Sequence, residues 1–225
     1  MQINPARFVT LPDYGRIPVG KVLCIGRNYA AHAAEMKSAV PTTPMVFLKP
    51  STALTPSGSA VVLPAEVGEV HHEVELVAVV GKTLRHASED EAASAVAAYA
   101  VGLDMTARDV QAEAKKNGHP WSVAKGYDTF APRGRPMPAG ALDPANLEIV
   151  LRINDEIVQQ GSTSDMIFSV PALLSYCSRV FTLEPGDLLY TGTPEGVGPV
   201  RGGDSLRAEI TGLPPLEVTV RDEDA

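Results

Sequence analysis

Cysteine is nearly absent from this chain, with only Cys24 and Cys177 among 225 residues. They lie far apart and neither belongs to a Cys-x-x-Cys pair, which excludes a disulfide framework and leaves both as small buried apolar residues. Positive charge is also short, because 19 Lys and Arg face 27 Asp and Glu for a net charge of -8. Phosphate binding relies on clustered Lys and Arg, and no such cluster is evident, so a nucleic-acid surface is excluded. No apolar run approaches the length of a membrane span, and Met1-Gln2-Ile3-Asn4-Pro5 lacks a basic start followed by an apolar core. The expectation is a cytosolic protein with neither membrane nor nucleic-acid partners. Internal repeats and low-complexity segments are absent as well.

What is present points to a β-rich globular protein. Hydrophobic residues make up 44% and charged residues 20%, the balance of an ordinary soluble domain. The 19 Gly and 19 Pro require many turns. The length fits one catalytic domain over residues 18–225, preceded by a short irregular arm over residues 1–17.

Along the chain, Lys21 to Gly26 reads as a strand that stops at a glycine, and Asn28 is placed to cap a short helix running to Met36. Met45 to Lys49 is a strand. Ser88 and Glu91 have capping-box spacing before an alanine-rich run, predicting a helix from Glu89 to Tyr99. Arg108 to Lys116 is helical until Asn117-Gly118 ends it. Strands follow at 147–153, 157–160, 188–191, 206–210 and 216–220. One helix interrupts them near Val170 to Arg179, with Ser169 as its cap.

The segment His71-His72-Glu73-Val74-Glu75-Leu76-Val77-Ala78-Val79-Val80-Gly81 carries the strongest chemical signal. A strand period of two puts His71, Glu73, Glu75, Val77 and Val79 on one face. Two carboxylates crowded in a segment built for burial suppress each other's ionisation unless a cation joins them. Asp104 ends an apolar strand just before Thr106-Ala107-Arg108-Asp109-Val110-Gln111, making it the best third ligand. Three carboxylates suit Mg²⁺ or Mn²⁺, whereas zinc prefers nitrogen or sulfur. Two alternatives stay open: a solvated edge strand, and imidazole ligation of a non-haem iron through His71 or His72.

Other candidates are weaker when taken singly. His32 and Glu35 lie three residues apart on the short helix, where a carboxylate can orient an imidazole as a general base, or where both can be a solvated surface pair. Lys125 follows a brief apolar run and could be an ordinary exposed lysine. Thr191-Gly192-Thr193-Pro194 closes a strand with a glycine that allows a ligand close to the backbone, or simply makes a turn.

Together these segments resemble the fumarylacetoacetate hydrolase family, in its short acylpyruvase and oxaloacetate-decarboxylase-like branch. The resemblance rests on Gly26 to Met36, His71 to Leu76, Asp104 to Gln111, Lys125-Gly126, Gly186-Asp187, Thr191 to Pro194 and Gly196 to Gly198, in that order, and spans about Lys21 to Val220. It implies a mixed α+β fold with a rolled β-sandwich at its centre and a homodimer. It also implies that Glu73, Glu75 and Asp104 hold Mg²⁺ or Mn²⁺, that His32 and Glu35 form a water-activating pair on a mobile lid, and that Lys125 faces the substrate. Arg108, Gln111 and Thr193, with Arg27 near the lid, would hold the carboxylate and oxo groups of a small 2-oxo acid. The expected reaction is hydrolysis of a 3-acylpyruvate to pyruvate and a carboxylic acid through an enolate stabilised by the metal and Lys125. Oxaloacetate decarboxylation or tautomerisation, isomerisation or decarboxylation of a hydroxyheptadienedioate, and a silent metal-binding scaffold are the alternatives. Specificity is expected in the lid and in loops 39–43 and 117–120.

Overall fold

A computed structural model describes residues 4–35 and 39–224. The glutamate strand Val74–Val80 is the centre of the molecule. Within an eight-stranded sheet it pairs antiparallel with Val96–Leu103 on one side and with Leu188–Tyr190 on the other. Val22–Gly26 runs parallel to Leu188–Tyr190 and pairs with the edge strand Met45–Lys49. Past Val96–Leu103 lie Ala131–Arg133 and Leu54–Pro56. Every residue of Val74–Val80 is buried, the sequence mark of a strand covered on both faces. A solvated edge strand is therefore excluded.

Two cores use the alternation of this strand. Val74, Leu76, Ala78 and Val80 point into the larger core, which they share with Ile149, Leu151, Leu206, Ala208, Leu216 and Val218 from the five-stranded sheet. That second sheet runs in the order Glu156–Ser162, Glu148–Ile153, Ser205–Ile210, Leu216–Asp222, Ala60–Leu63. Val77 and Val79 point the other way, into a smaller core with Ala6, Val9 and Leu11. The two curled sheets enclose a mixed α+β fold with few short helices, as the sequence predicts. Among the described residues no helix is long and apolar enough to cross a membrane.

Four expectations are corrected. The arm is not irregular: Phe8–Leu11 and Gly15–Pro18 form a hairpin, because Val9 and Leu11 alternate inward while Gly15 takes the positive φ of the turn. The helix after Ser88 has its capping box but ends at Ser94, and Val96–Leu103 becomes a strand because pairing to Val74–Val80 overrides alanine's helical preference. Asn28 does not cap the helix Ala30–Glu35. Its side chain donates to the carbonyls of Phe168 and Thr191 and accepts the Phe168 N–H, tying the helix base to the strand end at Thr191. The predicted end of that helix at Met36 lies outside the described residues.

The fourth correction concerns the glutamate segment itself, which is not one continuous strand. Val70–His72 belongs to a separate three-stranded sheet, and the break falls at Glu73. The Val74 N–H is taken by Gln159 Oε1, and the Glu73 carbonyl accepts the N–H of Asp104. This kink ends the common face, so His71 no longer shares it with Glu75. His71 instead contacts Glu69 at 3.2 Å and His72 contacts Gln159 at 3.0 Å. Neither imidazole joins the three-carboxylate cluster, so the iron alternative loses its ligands.

Candidate active site

Glu73 at the kink, Glu75 on the central strand and Asp104 just past the end of Val96–Leu103 converge, with one oxygen of each lying within 4.8 Å of the others. All three are buried. At an effective dielectric of 20, each pair of unit charges at that distance repels by roughly 3.5 kcal/mol. Three such pairs would rival the 5–15 kcal/mol typical of a whole domain's stability, so the cluster must be neutralised. Lys125 Nζ donates to Glu73 Oε2 at 2.8 Å and to Asp104 Oδ2 at 2.7 Å. Arg108 Nη2 donates to Glu73 Oε1 at 2.7 Å, and Lys49 Nζ lies 2.6 Å from Asp104 Oδ1.

Protonation follows these contacts. Burial works against the Glu73 carboxylate, yet the Lys125 and Arg108 charges win and hold it well below the usual carboxylate range. Glu75 has no cation in contact among the described residues. Burial first, then the Asp104 and Glu73 charges, push it well above its usual value, opposed by the Gly192 N–H at 2.9 Å. Gly192 has φ +95, and a Cβ there would lie 2.7 Å from the Asn28 Cβ, so only glycine brings that N–H to Glu75. Lys125 is raised: burial lowers it, but the Asp104 and Glu73 carboxylates outweigh burial.

A divalent cation fits this donor set. Glu75 receives its backbone bond on Oε2, the three carboxylates converge within 4.8 Å, and all three groups offer oxygen, which suits Mg²⁺ or Mn²⁺. Glu75, raised in pKa and lacking a contacting cation among the described residues, is the carboxylate that a metal would most relieve.

The remaining predicted residues surround the same pocket, which is lined by Arg27, His32, Glu73, Glu75, Arg108, Gln111, Lys125 and Thr193. His32 is buried, and its Nδ1 lies 3.2 Å from Glu35 Oε2. A carboxylate only accepts, so Nδ1 carries a proton, and in the neutral ring Nε2 then keeps the lone pair. Glu35 Oε1 also accepts the Gly196 N–H. Arg108 and Gln111 are held one helical turn apart on Arg108–Asn117, whose C-cap Gly118 has φ 67. Arg108 Nη1 donates to Gln111 Oε1, and the buried Arg108 Nε is unpaired among the described residues. Thr193 Oγ1 accepts from Gln159 Nε2, which leaves its own O–H to donate. Arg27 sits at φ 60, a conformation uncommon for non-glycine residues and concentrated at functional sites. Lys125 is buried too, which removes its reading as an ordinary surface lysine.

Three residues of this region escape a sequence reading. Lys49 ends a strand before Pro50, a position that usually points a lysine to solvent, and it carries no local signal of burial. Gln159 accepts from Val74 N–H and donates to Thr193 Oγ1 and the Pro194 carbonyl, bracing both the kink and the glycine loop. Lys115 has a signal that could have found it, since Arg108, Gln111 and Lys115 follow i, i+3, i+7 spacing on one helix face. It lines the pocket, and its Nζ sits 5.2 Å from the Trp121 ring centroid. Partial burial, then the Arg108 and Arg27 charges, pull it down to about 8.

Comparison with known proteins agrees with this arrangement. Residues 21–221 match the family described as Fumarylacetoacetate (FAA) hydrolase C-terminal. The chain is 50% identical over 200 residues to the oxaloacetate tautomerase FAHD1, mitochondrial, of Bos taurus, covering 88% of this chain and 90% of that one. The crystal structure of fumarylpyruvate hydrolase from Pseudomonas aeruginosa in complex with Mn²⁺ and pyruvate superposes with a TM-score of 0.90 at 40% identity, covering 99% of both chains. That of 2-hydroxyhepta-2,4-diene-1,7-dioate isomerase from Mycobacterium marinum gives 0.82 at 38% identity, over 92% of this chain and 76% of that one. With the match running nearly end to end and the acidic triad in place, the chain belongs to the fumarylacetoacetate hydrolase family.

Proposed function

We propose that this chain is a metal-dependent enzyme that forms the enolate of a 2-oxo dicarboxylate, with keto–enol tautomerisation of oxaloacetate as its reaction. The observation that carries this reading is a pocket lined by Glu73, Glu75, Lys125 and His32, with Asp104 completing the carboxylate cluster beside it and Glu35 bonded to His32. The name of the bovine relative supports it.

Charge selects the substrate. Glu73, Glu75 and Asp104 are offset by the contacting cations Lys49, Lys125 and Arg108. A divalent ion would add two positive charges, Arg27 and Lys115 in the lining add to them, and a dicarboxylate is the charge complement of that excess. Bound Mg²⁺ or Mn²⁺ would polarise the 2-oxo group and make C3 more acidic. Among the described residues the Arg108 Nε, the Gln111 amide N–H groups and the Thr193 hydroxyl are free to donate to the adjacent carboxylate. His32 Nε2, its lone pair fixed by the Nδ1 bond to Glu35, takes the C3 proton. The charge left on the 2-oxo oxygen falls within reach of the Lys125 ammonium, a preorganised donor of a kind whose removal costs about 2.7–4 kcal/mol. Return of that proton from the His32 imidazolium to the 2-oxo oxygen completes the enol and restores the neutral imidazole.

A second reading uses the same groups on water. If His32 Nε2 deprotonates a water, the hydroxide attacks the acyl carbonyl of a 3-acylpyruvate and C–C cleavage expels the pyruvate enolate. The intact His32–Glu35 pair and the likeness to the fumarylpyruvate hydrolase structure favour keeping this reading. A turnover panel of oxaloacetate enol, fumarylpyruvate, acetylpyruvate and a hydroxyheptadienedioate, each with Mg²⁺ and with Mn²⁺, separates the two. Tautomerase function requires oxaloacetate to be the fastest substrate with no CO₂ release. Pyruvate release from an acylpyruvate with a higher kcat/KM would replace it with the hydrolase.

A further inference from the structure

Lys49 is the most completely enclosed charge, among the described residues, that takes no part in the proton transfers above. Its side chain has no exposed surface, and it does not line the pocket. An ammonium has three N–H groups, and four oxygens crowd it: the backbone carbonyls of Met105 at 2.9 Å, Lys125 at 2.7 Å and Phe130 at 2.7 Å, and Asp104 Oδ1 at 2.6 Å. The shortest of these contacts is the one that joins two opposite charges.

Each carbonyl that Lys49 holds belongs to a segment that builds the site. Met105 follows the ligand Asp104, and its own N–H is bonded to the Phe130 carbonyl. The Lys125 carbonyl is at the end of the short helix Ser122–Lys125, where terminal carbonyls lack intrahelical partners and a cation is favoured. The side chain of that same residue bridges Glu73 and Asp104. We propose that Lys49 is a positioning residue of the metal centre. It locks the Asp104 and Lys125 segments together and, through its 2.6 Å contact with Oδ1, fixes the Asp104 carboxylate in the orientation that converges on Glu73 and Glu75. This role rests on the reading of Glu73, Glu75 and Asp104 as a metal site.

The alternative role, a cation that merely balances buried charge, has the opposite sign. Removing a positive charge beside a metal site should tighten metal binding, whereas removing a positioning residue should weaken it. The test is Mn²⁺ titration without substrate, followed by electron paramagnetic resonance, on wild type, K49M, K49Q and F130L, with far-UV circular dichroism as the check of folding. K49Q keeps two N–H donors and is the variant that decides if K49M does not fold. F130L removes packing at a fully buried position but leaves all three carbonyls in place, so it reports what structural damage alone does. The expected result is folded K49Q with at least tenfold weaker Mn²⁺ binding, K49M weaker still if folded, and F130L within twofold of wild type. Unchanged or tighter Mn²⁺ binding by folded K49Q, or an equal loss in F130L, would overturn the proposal. An E75Q variant separates the two levels: if wild type and E75Q bind Mn²⁺ alike, the metal-site reading itself fails, whatever Lys49 does.

Discussion

Glu35 joins two parts of the site with one carboxylate, holding His32 Nδ1 at 3.2 Å through Oε2 and the Gly196 N–H at 3.1 Å through Oε1. The imidazole is thereby fixed to the loop that carries Thr193. General-base catalysis contributes roughly 10²–10⁴ in rate, so H32A should lower kcat by about that factor while Mn²⁺ affinity stays within twofold. E35Q should lower kcat less, because the amide retains shape while losing charge. Steady-state kinetics paired with Mn²⁺ titration checks both. Loss of Mn²⁺ binding in H32A would instead make His32 a ligand.

Metal should stabilise the fold as well as activate it. Mn²⁺ at about 100 times its Kd adds about 2.7 kcal/mol, which for a chain of this size raises Tm by roughly 5–11 °C. E75Q, which keeps the shape but removes the uncompensated charge, should abolish that rise while leaving the metal-free protein as stable as wild type or more so. Differential scanning calorimetry with and without chelator measures both quantities.

Lys115 sets a pH limit on substrate binding. Its pKa is pulled to about 8 by partial burial and by Arg108 and Arg27, so it is charged below pH 8 and loses its charge above. A dicarboxylate binds the charged form better, so KM should be lowest below pH 8 and rise as pH passes through that value. K115M should raise KM below pH 8 and flatten the rise above it, with kcat little changed. A KM that falls with rising pH would contradict this assignment.

Gln159 should couple stability to substrate affinity. Q159A removes the acceptor of the buried Val74 N–H and the donor to Thr193 Oγ1. A buried group left without its partner costs about 1–3 kcal/mol. Chemical denaturation should show a loss of about that size or more, and KM should rise because Thr193 is no longer held.

The legibility of the sequence tracks the range of each interaction. Helix Arg108–Asn117 and its αL cap at Gly118, helix Val170–Val180 with its Ser169 cap, and the capping box at Ser88 and Glu91 follow from residues a few positions apart. The strand character of Val96–Leu103 does not, because an alanine-rich run becomes a strand only when Val74–Val80 is present to pair with it. The triad is visible in the sequence because two acidic residues interrupt an apolar run. The kink at Glu73 is not, since it depends on Gln159, 85 positions away from Val74. Lys49 is equally hidden: its three acceptors lie 56 to 81 positions further on.

Tautomerisation of oxaloacetate and cleavage of an acylpyruvate share one species, the enolate of a 2-oxo acid. Hydrogen exchange at C3 therefore tests for that enolate without reference to which bond the enzyme breaks. Protein with Mg²⁺ or Mn²⁺ in D₂O should exchange the methyl protons of pyruvate for deuterium, followed by proton NMR. The exchange should vanish with chelator and in E75Q, and should fall by about 10² or more in H32A. Exchange that persists unchanged without metal or in E75Q, or its absence from a metal-loaded protein that still turns over oxaloacetate, would contradict a metal-dependent enolate at Glu73, Glu75 and Asp104.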